Sequence, residues 1–250
     1  MFSGSYVALV TPFKNNRVDV DKLKELVEFH IRNGTSGIAP CGTTGESATL
    51  SHEEHRVVIK TVVESVNGRI KVIAGTGSNN TIEAIELTRF AKEVRADGCL
   101  VITPYYNKPT QNGLYLHFKE IAETVDIPMV MYNVPGRTGV NMLPSTVAKL
   151  AKIKNIVGLK EASGNITQVS QIVRDCGEEF DVLSGDDAMT FPILAVGGKG
   201  VISVAANIVP EQMGSLVEAF NRGDIKKARK MHLKMFSLFE AMFYETNPIP

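Results

Sequence analysis

Eight short runs rich in β-branched and apolar residues recur along this chain: Tyr6 to Thr11, Gly37 to Cys41, Lys71 to Gly75, Gly98 to Thr103, Pro128 to Asn133, Ile156 to Glu161, Phe180 to Ser184 and Gly200 to Ala205. Between them lie segments with helical spacing, such as Asp21 to Asn33, Glu53 to Val66, Thr81 to Arg95, Gly113 to Val125, Pro144 to Ala151 and Thr167 to Cys176. Several open on start signals: Ser51 before Glu53 and Glu54, Thr81 before Glu83, and Pro144 at the head of a Ser-Thr-Val turn. Strand and helix alternating without a break in composition require a parallel sheet covered by helices, and eight repeats favour closure into a (β/α)8 barrel. An open doubly wound sheet is the second choice, but its glycine-rich turn after the first strand is absent; Thr11-Pro12-Phe13 stands there.

With 250 residues, 44% of them hydrophobic, the chain is long enough for one such barrel and its core. Lys plus Arg and Asp plus Glu balance at 27 each, which argues against nucleic acid or an anionic membrane as the main partner. Cys41, Cys99 and Cys176 are odd in number and widely spaced, so they read as reduced thiols without metal-ligand spacing. No cationic leader with a long apolar segment and no membrane-length apolar stretch is apparent; the expectation is a soluble, cytoplasmic protein.

In such a barrel the chemistry belongs at the carboxyl ends of the strands. The second run leads into Cys41-Gly42-Thr43-Thr44-Gly45-Glu46-Ser47, whose hydroxyls and approachable amides suit a small carboxylate, although an ordinary strand-to-helix turn reads the same way. The sixth run ends in Lys160. An ammonium at the end of a buried strand either finds a carboxylate or gives up its proton to become a nucleophile of the Schiff-base kind. Glu161 is a poor partner for it, because adjacent strand residues face opposite sides. Tyr132, on the preceding strand, can meet Lys160 inside the barrel mouth and move protons there; the alternative is a half-buried phenol that is simply satisfied. Arg137, in Pro135-Gly136-Arg137-Thr138-Gly139, can grip a carboxylate with its planar fork or merely sit in solvent. Asp186 and Asp187 are expected to cap a helix rather than to bind a metal.

Taken in order, Gly42-Thr43-Thr44-Gly45-Glu46, Tyr132-Asn133-Val134-Pro135-Gly136-Arg137-Thr138-Gly139, Gly158-Leu159-Lys160-Glu161-Ala162-Ser163 and Thr246-Asn247-Pro248-Ile249-Pro250 resemble the dihydrodipicolinate synthase family, over the whole chain. That family is similar to N-acetylneuraminate lyase and 2-keto-3-deoxygluconate aldolase, which are the alternative activities; a non-catalytic barrel that binds pyruvate or lysine is a more distant one. The resemblance implies a TIM barrel in which Lys160 forms a Schiff base with pyruvate and the enamine attacks L-aspartate 4-semialdehyde. It further implies that Thr43 and Tyr132 relay protons with Tyr106 from a neighbouring subunit. Thr44 would hold the pyruvate carboxylate and Arg137 that of the semialdehyde, while carbonyls near Gly185 and Ile202 would line the pocket. No metal or organic cofactor is implied. Ser47, Ala48, His52, His55, Asn79, Glu83 and Tyr105 fall where lysine-sensitive members bind L-lysine as feedback inhibitor, and the usual assembly is a tetramer built as a dimer of dimers. Residues 1–223 are expected to form the barrel and residues 224–250 the start of a C-terminal helical region. The chain stops at Pro250, where members of the family continue through further helices, so this region is expected to be truncated.

Overall fold

The computed structural model describes residues 1–250. Eight parallel strands, β1 Gly4–Ala8, β2 Gly37–Ala39, β3 Lys71–Gly75, β4 Gly98–Ile102, β5 Met129–Asn133, β6 Ile156–Glu161, β7 Asp181–Ser184 and β8 Gly200–Ser203, close into a barrel in which each pairs with the next and β8 returns to β1. The expected closed sheet is therefore present, and the open doubly wound alternative is not. The helices are α1 Val20–Arg32, α2 His52–Val66, α3 Thr81–Glu93, α4 Gln111–Thr124, a single turn α5 Pro135–Thr138, α6 Pro144–Leu150, α7 Ile166–Cys176, α8 Thr190–Ala195, α9 Pro210–Asn221 and α10 Ile225–Ala241. No helix is long and apolar enough to cross a membrane.

Local chemistry sets the helix starts. Ser51 and Glu54 form a reciprocal capping box at α2, and Asp19, Asn80 and Thr110 cap α1, α3 and α4 with their side chains. The first strand begins and ends earlier than the sequence suggests. Gly4 already pairs with Gly200, and beyond Ala8 the chain turns so that the Thr11 hydroxyl donates to Gly45 O at 2.7 Å. A two-stranded ribbon, Phe13–Lys14 with Arg17–Val18, follows; its two-residue strands are too short to carry a periodic signal.

Alternation along the strands divides the apolar residues into two cores. The larger cluster fills the space between strands and helices, and includes Met129, Met131 and Leu159. The smaller one fills the barrel interior with Phe2, Tyr6, Ala8, Ile73, Leu100, Val130, Tyr132, Leu183 and Ile202. The same parity turns Lys160 inward, in register with Tyr132, and turns Glu161 outward, in register with Asn133.

Close backbone approach fixes the turn after β2. Cys41 and Glu46 take left-handed φ values of 55° and 57°, which non-glycine residues adopt at a conformational cost. A methyl group at Gly75 would lie 2.2 Å from Cys41 O, and backbone cannot swing aside as a side chain can. Gly75→Ala is expected to destabilise the fold by about 1–3 kcal/mol through overpacking. The urea midpoint should fall at unchanged slope; an unaltered midpoint would show that the turn is free to move.

Candidate active site

The mouth of the barrel opens into a cavity of about 520 Å³ lined by Thr43, Tyr132 and Arg137 together with a second group, Ser47, Ala48, His52, His55, Glu83 and Tyr105. Lys160 lies behind Tyr132: its Nζ is 4.2 Å from the centre of the tyrosine ring. The lysine is 5% exposed, and its stem packs against Gly185, where an added methyl group would meet Cε and Cγ at 3.0 Å. Burial pushes the Lys160 pKa down from the ordinary lysine range to about 8; the Asp187 carboxylate opposes that shift and the Arg137 guanidinium reinforces it. An amine poised in this way supplies a neutral nucleophile close to physiological pH.

Burial acts in the opposite sense on Tyr132, whose pKa rises to about 12, with Arg137 pulling it down and Asp186 and Glu161 pushing it up. The phenol is therefore protonated at neutral pH, beside the lysine and within reach of the Thr43 side chain. Thr44 is buried beneath the same turn, and Ile202 is fully buried in the barrel interior. Thr44, Gly185 and Ile202 are not among the residues that line the cavity. Arg137 is exposed on α5 and its Nη2 donates to Thr246 O at 2.9 Å, so the Thr246 to Pro250 segment folds over the mouth with Asn247 and Ile249 on the wall.

Tyr106 stands apart from this assembly. It is 89% exposed, has a left-handed φ of 72° and does not touch the cavity. In the second group, His52 Nε2 lies 2.6 Å from Glu83 Oε1, the Ser78 hydroxyl donates to the other Glu83 oxygen, and Asn79 Nδ2 donates to Tyr105 O at 3.1 Å. Asn79 itself is off the wall. His55 is buried and burial lowers its pKa to about 4, which leaves it a neutral imidazole with an unpartnered Nδ1. No group of three or more His, Cys, Asp or Glu side chains is arranged to hold a metal ion.

Of the two acidic residues expected to cap a helix, one does and one does not. Asp186 does cap the short helical turn that follows, accepting from the Ala188 amide at 2.9 Å. Asp187 does not cap a helix. It is 2% exposed, and its Oδ2 accepts from the amides of Val204 and Ala205 at 3.0 and 2.8 Å, just past β8, while Oδ1 is buried without a partner. Its carboxylate is the strongest charge acting on Lys160. Only the Asp-Asp pair hinted at this role, because the contact spans 17 and 18 residues and has no local period.

A closed parallel barrel that buries an amine beside a phenol at its carboxyl-end mouth defines an enzyme scaffold for imine chemistry on carbonyl compounds. The whole chain, residues 1–250, matches the Dihydrodipicolinate synthetase family. A 4-hydroxy-tetrahydrodipicolinate synthase of Geobacter metallireducens is 61% identical over 250 residues, covering all of this chain and 86% of that protein. The crystal structure of dihydrodipicolinate synthase from Aquifex aeolicus superposes with a TM-score of 0.98 at 55% identity, over all of this chain and 85% of that one. The enzyme from Cyanidioschyzon merolae with lysine bound superposes at 0.97 and 45% identity, over all of this chain and 86% of that one. The chain belongs to the dihydrodipicolinate synthase family, and its activity is that of a lyase, 4-hydroxy-tetrahydrodipicolinate synthase.

Because only the neutral amine attacks a carbonyl, trapping of a small 2-oxo acid on Lys160 with cyanoborohydride should rise with pH and level off above about 8. Asp187 holds the proton on Lys160, so Asp187→Asn should move that midpoint to lower pH while an amide oxygen still accepts from Val204 and Ala205. A midpoint that stays in place or moves upward contradicts this electrostatic assignment.

Proposed function

We propose that Lys160 carries the condensation of pyruvate with L-aspartate 4-semialdehyde to 4-hydroxy-tetrahydrodipicolinate, the committed step toward diaminopimelate and lysine. The observation that carries this reading is the buried lysine amine over the Tyr132 ring. Neutral Nζ adds to the ketone carbon of pyruvate, and loss of water leaves an imine. Its protonated nitrogen draws electrons from the adjacent methyl group, which gives up a proton and becomes the enamine carbon. That carbon attacks the aldehyde of the semialdehyde, the new alkoxide takes a proton, and the substrate's own amino group displaces Lys160 to close the ring. No external electron carrier enters, because the iminium is the electron sink.

Thr43 and Tyr132 move the protons as hydroxyl groups, a role for which the raised pKa of the phenol suits Tyr132. The partner subunit's Tyr106 completes the relay; the exposure of this residue, away from its own cavity, supports a homo-oligomer of at least two copies. The resemblance extends that to a tetramer in the cytoplasm. Thr44 and the backbone near Gly185 and Ile202 receive pyruvate, and Arg137 exchanges its bond to Thr246 O for the carboxylate of the semialdehyde. Residues 1–223 supply this chemistry, and residues 224–250 add a helical region whose end covers the mouth.

L-Lysine is the regulatory ligand in this reading. Ser47, Ala48, His52, His55, Glu83 and Tyr105 line the cavity, with Glu83 to meet an ammonium group and His55 as a neutral partner, and Asn79 supports Tyr105 through its bond to Tyr105 O. The lysine carried by the Cyanidioschyzon merolae relative supports the assignment.

Peptide mapping after reduction with borohydride in the presence of pyruvate should place a pyruvyl adduct on Lys160, and its absence from folded protein would remove the mechanism. Arg137→Ala should raise the KM for the semialdehyde about a hundredfold and leave that for pyruvate within about threefold; equal effects would remove the carboxylate role. Roughly millimolar L-lysine should slow turnover, and Glu83→Gln should weaken that inhibition about tenfold through loss of one charge-assisted contact. Full activity of the unaltered protein in lysine would refute the regulatory site.

A further inference from the structure

Outside the barrel, on the face opposite Lys160, four polar side chains form a cluster that the chemistry above does not use. Asn133, Glu161 and Gln168 are 0%, 1% and 6% exposed. Glu161 has no cation; it accepts from Asn133 Nδ2 at 3.1 Å, from the Ser163 amide at 2.7 Å and from Gln168 Nε2 at 3.5 Å. Burial without a positive partner pushes its pKa up. Asn133 Nδ2 also donates to Asn141 Oδ1 at 2.8 Å, and Asn133 Oδ1 accepts from the Met142 amide at 3.0 Å. Asn141 and Gln168 exchange amide hydrogen bonds at 2.8 and 3.2 Å.

Burying two amides and a carboxylate, with a third amide half-buried beside them, in a helix–strand interface is unfavourable compared with apolar packing of the same volume. The arrangement does secure orientation. A carboxylate is only an acceptor, so Glu161 dictates which way the amides of Asn133 and Gln168 point, and these in turn dictate Asn141. The chain between Asn133 and Asn141 is the turn that carries Arg137, and it is fastened at both ends to this one cluster. Gln111 of α4 adds a bond from its Nε2 to Asn141 O at 2.8 Å. Lys160 and Tyr132, by contrast, are held by the strand ladder itself.

We propose that Asn133, Asn141, Glu161 and Gln168 are positioning residues that fix the Arg137 turn and so set selectivity for the second, carboxylated substrate without acting on the first. This rests on the reading that Arg137 receives the carboxylate of the semialdehyde. The test is steady-state kinetics and borohydride trapping on the full chain for Asn141→Ala, Arg137→Ala and the double variant. Asn141→Ala should raise the KM for the semialdehyde about tenfold, since a displacement near one ångström is enough, while the KM for pyruvate and the trapping rate change less than about twofold. In the Arg137→Ala background the same substitution should add less than about twofold, because residues that act through one another are non-additive. Gln168→Leu, which withdraws support without altering the turn, should act in the same direction and serves if Asn141→Ala does not fold. Equal rises in both KM values, or effects that multiply in the double variant, would overturn the proposal. Arg137→Ala alone failing to separate the substrates would instead strike the Arg137 reading, so the two failures are distinguishable.

Discussion

Everything at the mouth of this barrel depends on keeping one amine out of water without giving it a carboxylate to touch. Burial of an unpaired ammonium is costly, and here that cost shows as a Lys160 pKa lowered to about 8, which makes the proton easier to release. A closed sheet is well suited to the task, since it has no edge through which water or a stray charge can enter. The aromatic face of Tyr132 is the contact offered to Lys160, and the one strong negative charge nearby, Asp187, is tied down by two amides past β8. That arrangement leaves the Lys160 pKa near 8 instead of far lower, so the amine can both attack as a neutral base and be stabilised once it becomes an iminium cation.

Strand parity then separates two jobs along β5 and β6. The inward residues Tyr132 and Lys160 make the chemical pair, and the next residue on each strand, Asn133 and Glu161, faces the helices and anchors the loop. One register therefore specifies both, and a slip of a single residue would exchange a polar cluster for a catalytic one on each face. The compactness of this design is also its vulnerability, because β6 cannot move to suit one face without disturbing the other.

Much of this was legible in the sequence. Eight strands, their helices and the location of chemistry at the strand ends follow from periodicity and turn residues, which are local signals. Lys160 stands out because an ammonium fits poorly at the end of a buried strand, whereas Tyr132 and Arg137 are ordinary for a strand and a loop and gain their meaning from the motifs around them. The poor match of Lys160 with Glu161 was likewise predictable from alternation alone. What escaped was long-range or conformational. The bond from Asp187 to β8 and the meeting of Asn133 with Glu161, 28 residues apart, depend on closure of the barrel and leave no period behind. The left-handed backbone at Cys41, Glu46 and Tyr106 escaped because those residue types do not announce a positive φ as glycine does. The helix starts were within a few residues, with Asn80 and Thr110 taking the caps from their neighbours.

The charge on Arg137 also orders events. While its guanidinium is engaged only by the Thr246 carbonyl, it keeps its full positive charge and adds to the lowering of the Lys160 pKa. A carboxylate docked on Arg137 would cancel that field, raise the pKa of the amine and shrink the fraction able to attack. The same cancellation would end the downward pull of Arg137 on the Tyr132 pKa, making the phenol a poorer proton donor. On that reading, an empty Arg137 would favour addition of the amine to a keto acid. Afterwards the imine nitrogen must be positive, and a neutralised Arg137 no longer opposes it. On the proposal that Arg137 receives the carboxylate of the semialdehyde, the one arginine would favour nucleophilic attack when empty and iminium stability when filled.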